Sequence, residues 1–192
     1  MQRLYFEKIF NQRDVARYVS TDGKNDAKCH NKNRPSATTK IGQVPEQKSI
    51  KIFQRNLKQL IGKFEFHHIG IATKDISKEI KSYSMLNYSF EDEFTKDENQ
   101  GVKGVFLTAK NQPRIELLEN TEASTTLDYY LNNGIKMYHF GYIVNDIEKV
   151  FDIFTNKLKA KIISPLKFST YFKKRICFLM LSNMHMVELI EE

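Results

Sequence analysis

The sequence predicts an α+β domain built from two tandem β-α-β-β-β modules, and two observations carry that expectation. The first is an internal repeat. Aligning His68-Ile69-Gly70-Ile71-Ala72-Thr73-Lys74-Asp75-Ile76-Ser77-Lys78 with His139-Phe140-Gly141-Tyr142-Ile143-Val144-Asn145-Asp146-Ile147-Glu148-Lys149 matches His, Gly, Asp, Ile and Lys at a constant offset of 71. Further on, Phe106-Leu107 and Glu116-Leu117-Leu118-Glu119 answer Phe178-Leu179 and Glu188-Leu189-Ile190-Glu191 at an offset of 72, so one inserted residue separates the two registers. The second observation is a change of period. Each copy opens on an apolar run of strand length and passes into apolar residues at helical spacing.

Taken in order, Phe66 to Ala72 has the length and character of a buried strand. Asp75 stands where a helix N-cap is needed, and Ile76, Ile80 and Tyr83 recur at helical spacing. Strands are expected at Tyr88 to Phe94, Val102 to Ala109 and Arg114 to Glu119. In the second copy a helix follows Asp146 with Ile147, Val150, Phe151, Phe154 and Leu158 as its stripe, and strands are expected at Lys161 to Ser164, Ile176 to Leu181 and Met186 to Ile190. Strand alternation sorts the histidines, because successive side chains point to opposite faces. His139 and Gly141 share one face, Tyr138, Phe140, Tyr142 and Val144 the helix-bearing other. By the same parity His68, Gly70 and Ala72 face a hollow, and His67 takes the place of Tyr138 as a structural residue. In the Asn183-Met184 turn, Met resists positive φ, so a two-residue type I′ hairpin is not expected.

Two domains of unlike character follow, 1–63 and 64–192. Residues 1–64 hold 14 Lys and Arg against 5 Asp and Glu, leaving 16 and 18 for the repeat. The net charge of +7 therefore belongs to the leader, and the repeat has no basic stripe for a nucleic-acid backbone. Residues 20–50 are polar and nearly free of large apolar groups, as in segments without a core of their own. Met1 to Val19 could form a short basic helix, but Glu7 and Asp14 argue against a transit peptide. Ile50 to Leu60 is expected to add a helix before the domain. No run of eighteen apolar residues predicts a membrane span. The two cysteines, Cys29 and Cys177, provide no disulfide framework, which fits a reducing cytoplasmic setting, and Cys177 reads as a small core residue.

A sheet that presents His68, Glu116, His139 and Glu188 to one hollow offers two imidazoles and two carboxylates to one divalent metal ion. Such donors suit Zn, Ni, Co, Mn or Fe(II) without choosing among them. His makes up 5 of 192 residues, so its recurrence at equivalent positions, each with a Glu at equivalent positions, argues against coincidence.

With these motifs the sequence resembles the vicinal oxygen chelate superfamily, and within it the glyoxalase and methylmalonyl-CoA epimerase-like members. The markers are His67-His68-Ile69-Gly70-Ile71-Ala72, Gln100-Gly101-Val102-Lys103, Arg114-Ile115-Glu116-Leu117-Leu118-Glu119, His139-Phe140-Gly141, and Arg175-Ile176-Cys177-Phe178-Leu179-Met180 leading to Val187-Glu188-Leu189-Ile190-Glu191. The resemblance implies paired modules forming a curved mixed sheet around a metal site, often in a homodimer. It also implies an isomerase or epimerase that removes a proton next to a substrate carbonyl, with an acyl-CoA or other thioester as its small-molecule partner. A glyoxalase I-type lactoylglutathione lyase and a non-catalytic small-molecule-binding protein are the alternatives. A dioxygenase would prefer two histidines and one carboxylate, which a fourth protein ligand disfavours. Epimerase-like members carry a Glu directly before the Gln-Gly-Val element, where this chain has Asn99. The base is then Glu98, if the loop is shifted, or one of the carboxylates at the metal, Glu188 or Glu116, as in glyoxalase-type catalysis. Lys103, Lys173, Lys174 and Arg175 are expected around the pocket entrance, with Lys103 and Arg175 receiving an anionic substrate.

Overall fold

The computed structural model describes residues 45–192. The expectations for residues 1–44, including the short basic helix at the N-terminus, lie outside them. Helix α1 spans Pro45–Ile61, so regular structure begins five residues before Ile50 and inside the stretch read as lacking a core. Proline at the first helical position leaves no hydrogen bond unmade, and Leu57, Leu60 and Ile61 anchor the helix on the second module. No helix among the described residues is long and apolar enough to cross a membrane.

Among the described residues, nine strands form one sheet. In chain order the elements are β1 (Phe64–Ala72), α2 (Ile76–Ser84), β2 (Ser89–Phe90), β3 (Thr95–Asp97), β4 (Val102–Thr108), β5 (Ile115–Asn120), α3 (Asp128–Asn132), β6 (Met137–Val144), α4 (Ile147–Asp152), β7 (Lys161–Ser169), β8 (Lys174–Met180) and β9 (Met186–Glu191). The strand order is β2-β4-β5-β1-β6-β9-β8-β7, with β3 also paired to β4. Each module pairs its first and last strands in parallel, β1 with β5 and β6 with β9, and the modules join through the antiparallel pair β1 and β6. The two expected β-α-β-β-β units are thus present, with α3 as an unanticipated link between them.

The repeated residues explain the repeated geometry. Asp75 accepts a hydrogen bond from the Lys78 backbone N–H at 3.0 Å, and Asp146 does the same for Lys149 at 3.0 Å, so each shared aspartate caps its helix. The isoleucines that follow, Ile76 and Ile147, are buried under the sheet. Period 2 along the strands then separates two faces. Ile115, Leu117, Val187 and Leu189 pack toward the helices, while Leu118 and Ile190 belong to a third cluster inside the cup with Tyr130, Ile176 and Phe178.

Three details differ from the sequence reading. The strand expected at Tyr88 to Phe94 is shortened to β2, with β3 beginning after it at Thr95, because Asp92 Oδ1 accepts from the Phe106 N–H and Glu91 N–H bonds Phe106 C=O, taking over the edge of β4. β7 extends to Ser169 rather than ending at Ser164, and α4 runs on as a π-helical turn over Ile153–Lys157. Met184 adopts φ 66°, the positive value it was expected to resist. The hairpin is nonetheless not a two-residue one: Met184 N–H bonds Leu181 C=O at 3.0 Å and Leu181 N–H bonds His185 C=O at 2.9 Å, leaving Met184 as the left-handed residue that closes a longer loop.

Candidate metal centre

The four residues singled out from the repeat converge. His68, Glu116, His139 and Glu188 are 0–2% exposed, and one donor atom from each lies within 4.8 Å of all the others. His68 Nε2 stands 2.8 Å from His139 Nε2, 3.1 Å from Glu116 Oε2 and 3.3 Å from Glu188 Oε2. His139 Nε2 lies 3.4 and 3.5 Å from the same two oxygens. Donors about 2.1 Å from a common ion are separated by roughly 3.0–3.4 Å, the edge lengths of octahedral and tetrahedral shells. The cluster therefore has the size and donor chemistry of a divalent cation site.

The sheet register shows why a glycine follows each histidine at the second position. Gly70 is paired with His139 on β6 and with Glu116 on β5, and Gly141 is paired with His68 and with Glu188. A Cβ on Gly70 would lie 2.0 Å from the His139 ring, and one on Gly141 would lie 2.2 Å from the His68 ring. Each module supplies one imidazole and the empty position over which the other module's imidazole lies.

Electrostatics holds the cluster together in the absence of an ion. Burial alone would lower the His68 pKa, but the Glu116 carboxylate outweighs it and raises the value to about 9, and His139 is raised for the same kind of reason. Burial would raise Glu116, yet the charge of His68 and the hydrogen bonds from both imidazoles bring it to about 2. The imidazoles and the buried carboxylates thus favour one another's charged forms, a charge balance within the cluster. The balance is incomplete, because Glu188 Oε2 lies near both rings without a well-directed hydrogen bond, and His139 Nδ1 has no partner. An orphaned carboxylate oxygen aimed into a buried nitrogen and oxygen cluster is what a cation ligand looks like without its cation.

Strand parity fails at two positions next to the cluster. Between Phe66 and His68 the β1–β6 ladder advances two residues on β1 for one on β6, and between Gly70 and Ile71 it advances two on β6 for one on β1. The extra residues are His67 and Tyr138, each the bulged residue of its strand. Bulges re-aim side chains, so neither residue sits on the helix side. His67 Nδ1 lies 2.8 Å from His68 Nδ1, and its ring is 5.9 Å from that of Phe172 inside the cup. Arg114 hydrogen-bonds His67, forks onto Glu91 at 2.6 and 2.7 Å, and lies 3.6 Å over the Phe106 ring. His67 is therefore an outer-shell partner of a cluster histidine. Burial and the neighbouring charges of His68 and Arg114 bring its pKa down to about 4. Tyr138 lines the cavity itself; burial and the flanking Glu116 and Glu188 charges hold its phenol well above the usual value. The histidine dyad was visible in the sequence, but the paired bulges carry no sequence signal.

The remaining candidates are not brought to the cluster. Glu98 is exposed on the β3–β4 turn, and Asn99 spends its side-chain amide on the Phe168 carbonyl at 3.0 Å. Lys103 pairs with Glu119 at 3.0 Å, and Arg175 pairs with Glu191 and Glu148, each at 2.6 Å. Both cations point to the helix-bearing face, because Val102, Gly104 and Phe106 take the inward positions of β4. The carboxylate that does enter the cavity wall near this turn is Asp97, which the sequence did not mark. It accepts from Ser169, Gln100 and Thr170 and ties the β3–β4 turn to the β7–β8 turn. These bonds outweigh burial and keep its pKa low. Its five acceptor contacts, two of them from the backbone N–H groups of Asn99 and Gln100, make it a structural clasp.

Residues 67–158 match the family model described as Glyoxalase/Bleomycin resistance protein/Dioxygenase superfamily. A search of the curated proteins finds no match. Among solved structures, a hypothetical protein from Bacillus halodurans C-125 is 23% identical with a TM-score of 0.58, covering 67% of this chain and 94% of its own. Methylmalonyl-CoA epimerase from Mycobacterium tuberculosis is 19% identical at TM-score 0.56, covering 66% and 87%. A variant of the Streptomyces coelicolor methylmalonyl-CoA epimerase, in complex with 2-nitronate-propionyl-CoA, is 21% identical at TM-score 0.55, covering 67% and 96%. The domain has the vicinal oxygen chelate fold. The family match stops at the helix that opens the second module, and the second half of this fold rests on the internal repeat and on the strand pairing that continues to Glu191. The vicinal oxygen chelate resemblance read from the motifs therefore holds for the fold and, over residues 67–158, for the family model.

Proposed function

We propose that this domain is a divalent-metal-dependent enzyme of the isomerase or epimerase type that removes a proton from the carbon next to a substrate carbonyl. The observation that supports the reading is the buried convergence of His68, Glu116, His139 and Glu188, with an oxygen of Glu188 left unbonded at its centre. His68, His139, Glu116 and Glu188 would hold one ion. When bound, the ion supplies Lewis acidity, which stabilises negative charge developing on a carbonyl oxygen.

The chain's own residues supply the rest. With Glu98 exposed and Asn99 committed to a backbone carbonyl, the carboxylates inside the cup are the bases within reach. Glu188 Oε2 accepts no well-directed hydrogen bond, so we assign it the proton, which it would take on releasing its hold on the ion. Phe106, Phe172 and Phe178 surround the two imidazoles at ring distances of 5.3–6.0 Å and keep water away from the reacting carbon. The substrate class is an acyl-CoA or related thioester, by analogy with the epimerases of the same fold. A glutathione-thioester lyase is the second reading, favoured by one observation: Glu116 and Glu188 are buried in the cluster, while Glu98 on the β3–β4 turn is exposed. Cys177, a buried core thiol whose pKa burial pushes up to about 12, fits the cytoplasmic setting we assign.

Elemental analysis of the purified protein and of His68→Ala and Glu188→Ala tests the site. Near-stoichiometric metal in the parent that is lost in both variants is the expected result; an absence of metal after reconstitution with Zn, Ni, Co, Mn and Fe(II) refutes it. Incorporation of solvent deuterium into methylmalonyl-CoA, compared with the hemithioacetal of methylglyoxal and glutathione, then separates epimerase from lyase. Exchange into neither leaves the binding-protein alternative.

A further inference from the structure

The two modules share their ligands but not the walls around them. On the side of the first module the cavity at the cluster is bounded by Thr95, Gln100, Val102 and Gly104. The positions 72 residues later in the second module hold Lys167, Phe172, Lys174 and Ile176. Ile176 is fully buried and the Phe172 ring lies against that of His68, so at these two positions the second half of the cup carries bulkier side chains than Gln100 and Gly104 of the first. What remains open is about 10 Å³, the room one oxygen-sized group needs. Glu116, Glu188 and His139 form its floor, and Tyr138 forms part of its wall.

Tyr138 is delivered there by the β6 bulge. It is half-buried, and the hydrogen bonds among the described side chains do not engage its hydroxyl. Other tyrosine hydroxyls of the domain are engaged: Tyr88 donates to Pro113 C=O and Tyr130 to Met186 Sδ. A half-buried phenol in the cavity wall, whose ring packs against the cluster residue His139, is a donor within reach of an acceptor placed in that cavity.

We propose that this space is the subsite for the substrate's carbonyl oxygen, on the first module's side of the cluster, and that the Tyr138 hydroxyl donates a hydrogen bond to that oxygen. The assignment rests on the proton-abstraction reading above. In that step the C–H bond breaks and its proton passes to the Glu188 carboxylate. The freed electron pair forms a C=C bond and the carbonyl π pair moves onto the oxygen. Return of the proton to the opposite face of the same carbon completes an epimerisation with atoms and electrons balanced. Negative charge thus gathers on the atom that Tyr138 contacts, and a preorganised neutral donor at such a position is among the most effective contributions a protein can make. A phenol keeps its proton at neutral pH and remains a donor throughout the step.

The test uses the full chain reconstituted with cobalt(II) and titrated with acetohydroxamate, whose paired oxygens mimic the deprotonated carbonyl compound, following the cobalt visible spectrum. Tyr138→Phe should take up the same amount of cobalt and bind acetohydroxamate about ten- to a hundredfold more weakly. Gly104→Ala should weaken binding too, since the added Cβ would lie 2.8 Å from Leu118 Cδ2 and push that side chain into the space. Ile176→Val, in the second half of the cup, should leave it unchanged. Unaltered affinity in Tyr138→Phe, or an effect of Ile176→Val with none from Gly104→Ala, overturns the assignment. A parent protein that takes up no cobalt, or whose cobalt spectrum ignores acetohydroxamate, refutes the metal-site reading and the Tyr138 assignment with it.

Discussion

The two modules are nearly the same device where they meet and different devices a few ångströms away. At the shared seam each gives a histidine, a glycine that makes room for its partner's histidine, and a glutamate, so the cluster is symmetric to the level of individual contacts. Around it the symmetry is broken. His68 Nδ1 meets His67, while His139 Nδ1 meets nothing. The first module has Gly104 in the cavity wall where the second places the larger Ile176. The lesson is that a metal site needs both halves to agree, because four donors must fall within one coordination sphere, whereas a substrate site needs them to disagree, because a symmetric cup has no preferred side.

Breaking the seam should have the largest effect. Gly70→Val and Gly141→Val would drive a side chain into the opposite imidazole, costing about 3 kcal/mol or more where overpacking cannot relax and abolishing metal uptake in both; thermal denaturation and metal content measure this. Retained metal in either variant would show that the cross-module cradle is not required. His139→Ala should likewise eliminate tight metal binding. Its sharper companion is His67→Ala, which from strand parity alone should leave binding largely intact. The contact to His68 Nδ1 now predicts a loss of affinity of about 10–100-fold with stoichiometry kept. An effect as large as that of His139→Ala would make His67 a ligand, and no effect would return it to a purely structural role.

Acidity offers a further contrast, between the protein with and without metal. The raised His68 pKa contributes stability to the metal-free protein that is fully present below about 6.5 and lost as pH rises through about 9. The lowered Glu116 value contributes stability present above about 4.5 and lost as pH falls through about 2. The lowered His67 value acts the other way from His68, its contribution being lost as pH falls from about 6.5 through about 4, so metal-free protein should be most stable near pH 6.5. Metal-loaded protein should gain stability relative to it as pH rises, since metal requires the imidazoles without their Nε2 protons. Melting temperatures across pH in EDTA and in excess metal would check this; parallel curves would contradict it. Asp75→Ala and Asp146→Ala, equivalent caps in the two modules, should each cost about 1 kcal/mol and leave metal content unchanged. The smallest effect is expected from Lys103→Met and Arg175→Met, outward-facing cations whose loss should not alter acetohydroxamate binding to the cobalt protein.

Much of this was legible in one dimension for a definite reason. A duplicated module writes its constraints twice, so His68 and His139, Gly70 and Gly141, Asp75 and Asp146, and Glu116 and Glu188 stood out from the background of residues that occur once. Period 2 then placed Glu116 and Glu188 on the inner face opposite Leu117 and Leu189, as observed. The same rule misplaced His67 and Tyr138, because a bulge adds one residue to one strand, and the need for it comes from the partner strand. Lys103 and Arg175 looked like entrance cations because their loops do. The sheet register turns them outward, onto Glu119 and Glu191, which are themselves an equivalent pair.

The sequence by itself determined the order of strands and helices in each module, the capped helices and the identity of the four residues that converge, since each of these depends on local period or on repetition. Only the tertiary structure decided that Tyr138 rather than Lys103 or Arg175 faces the cavity, that Asp97 clasps two turns across the cup, and that Gly104 of the first module lines the cavity. Those outcomes depend on which residue lies opposite which across strands far apart in the chain, and pairing of that kind is set by the packed sheet as a whole.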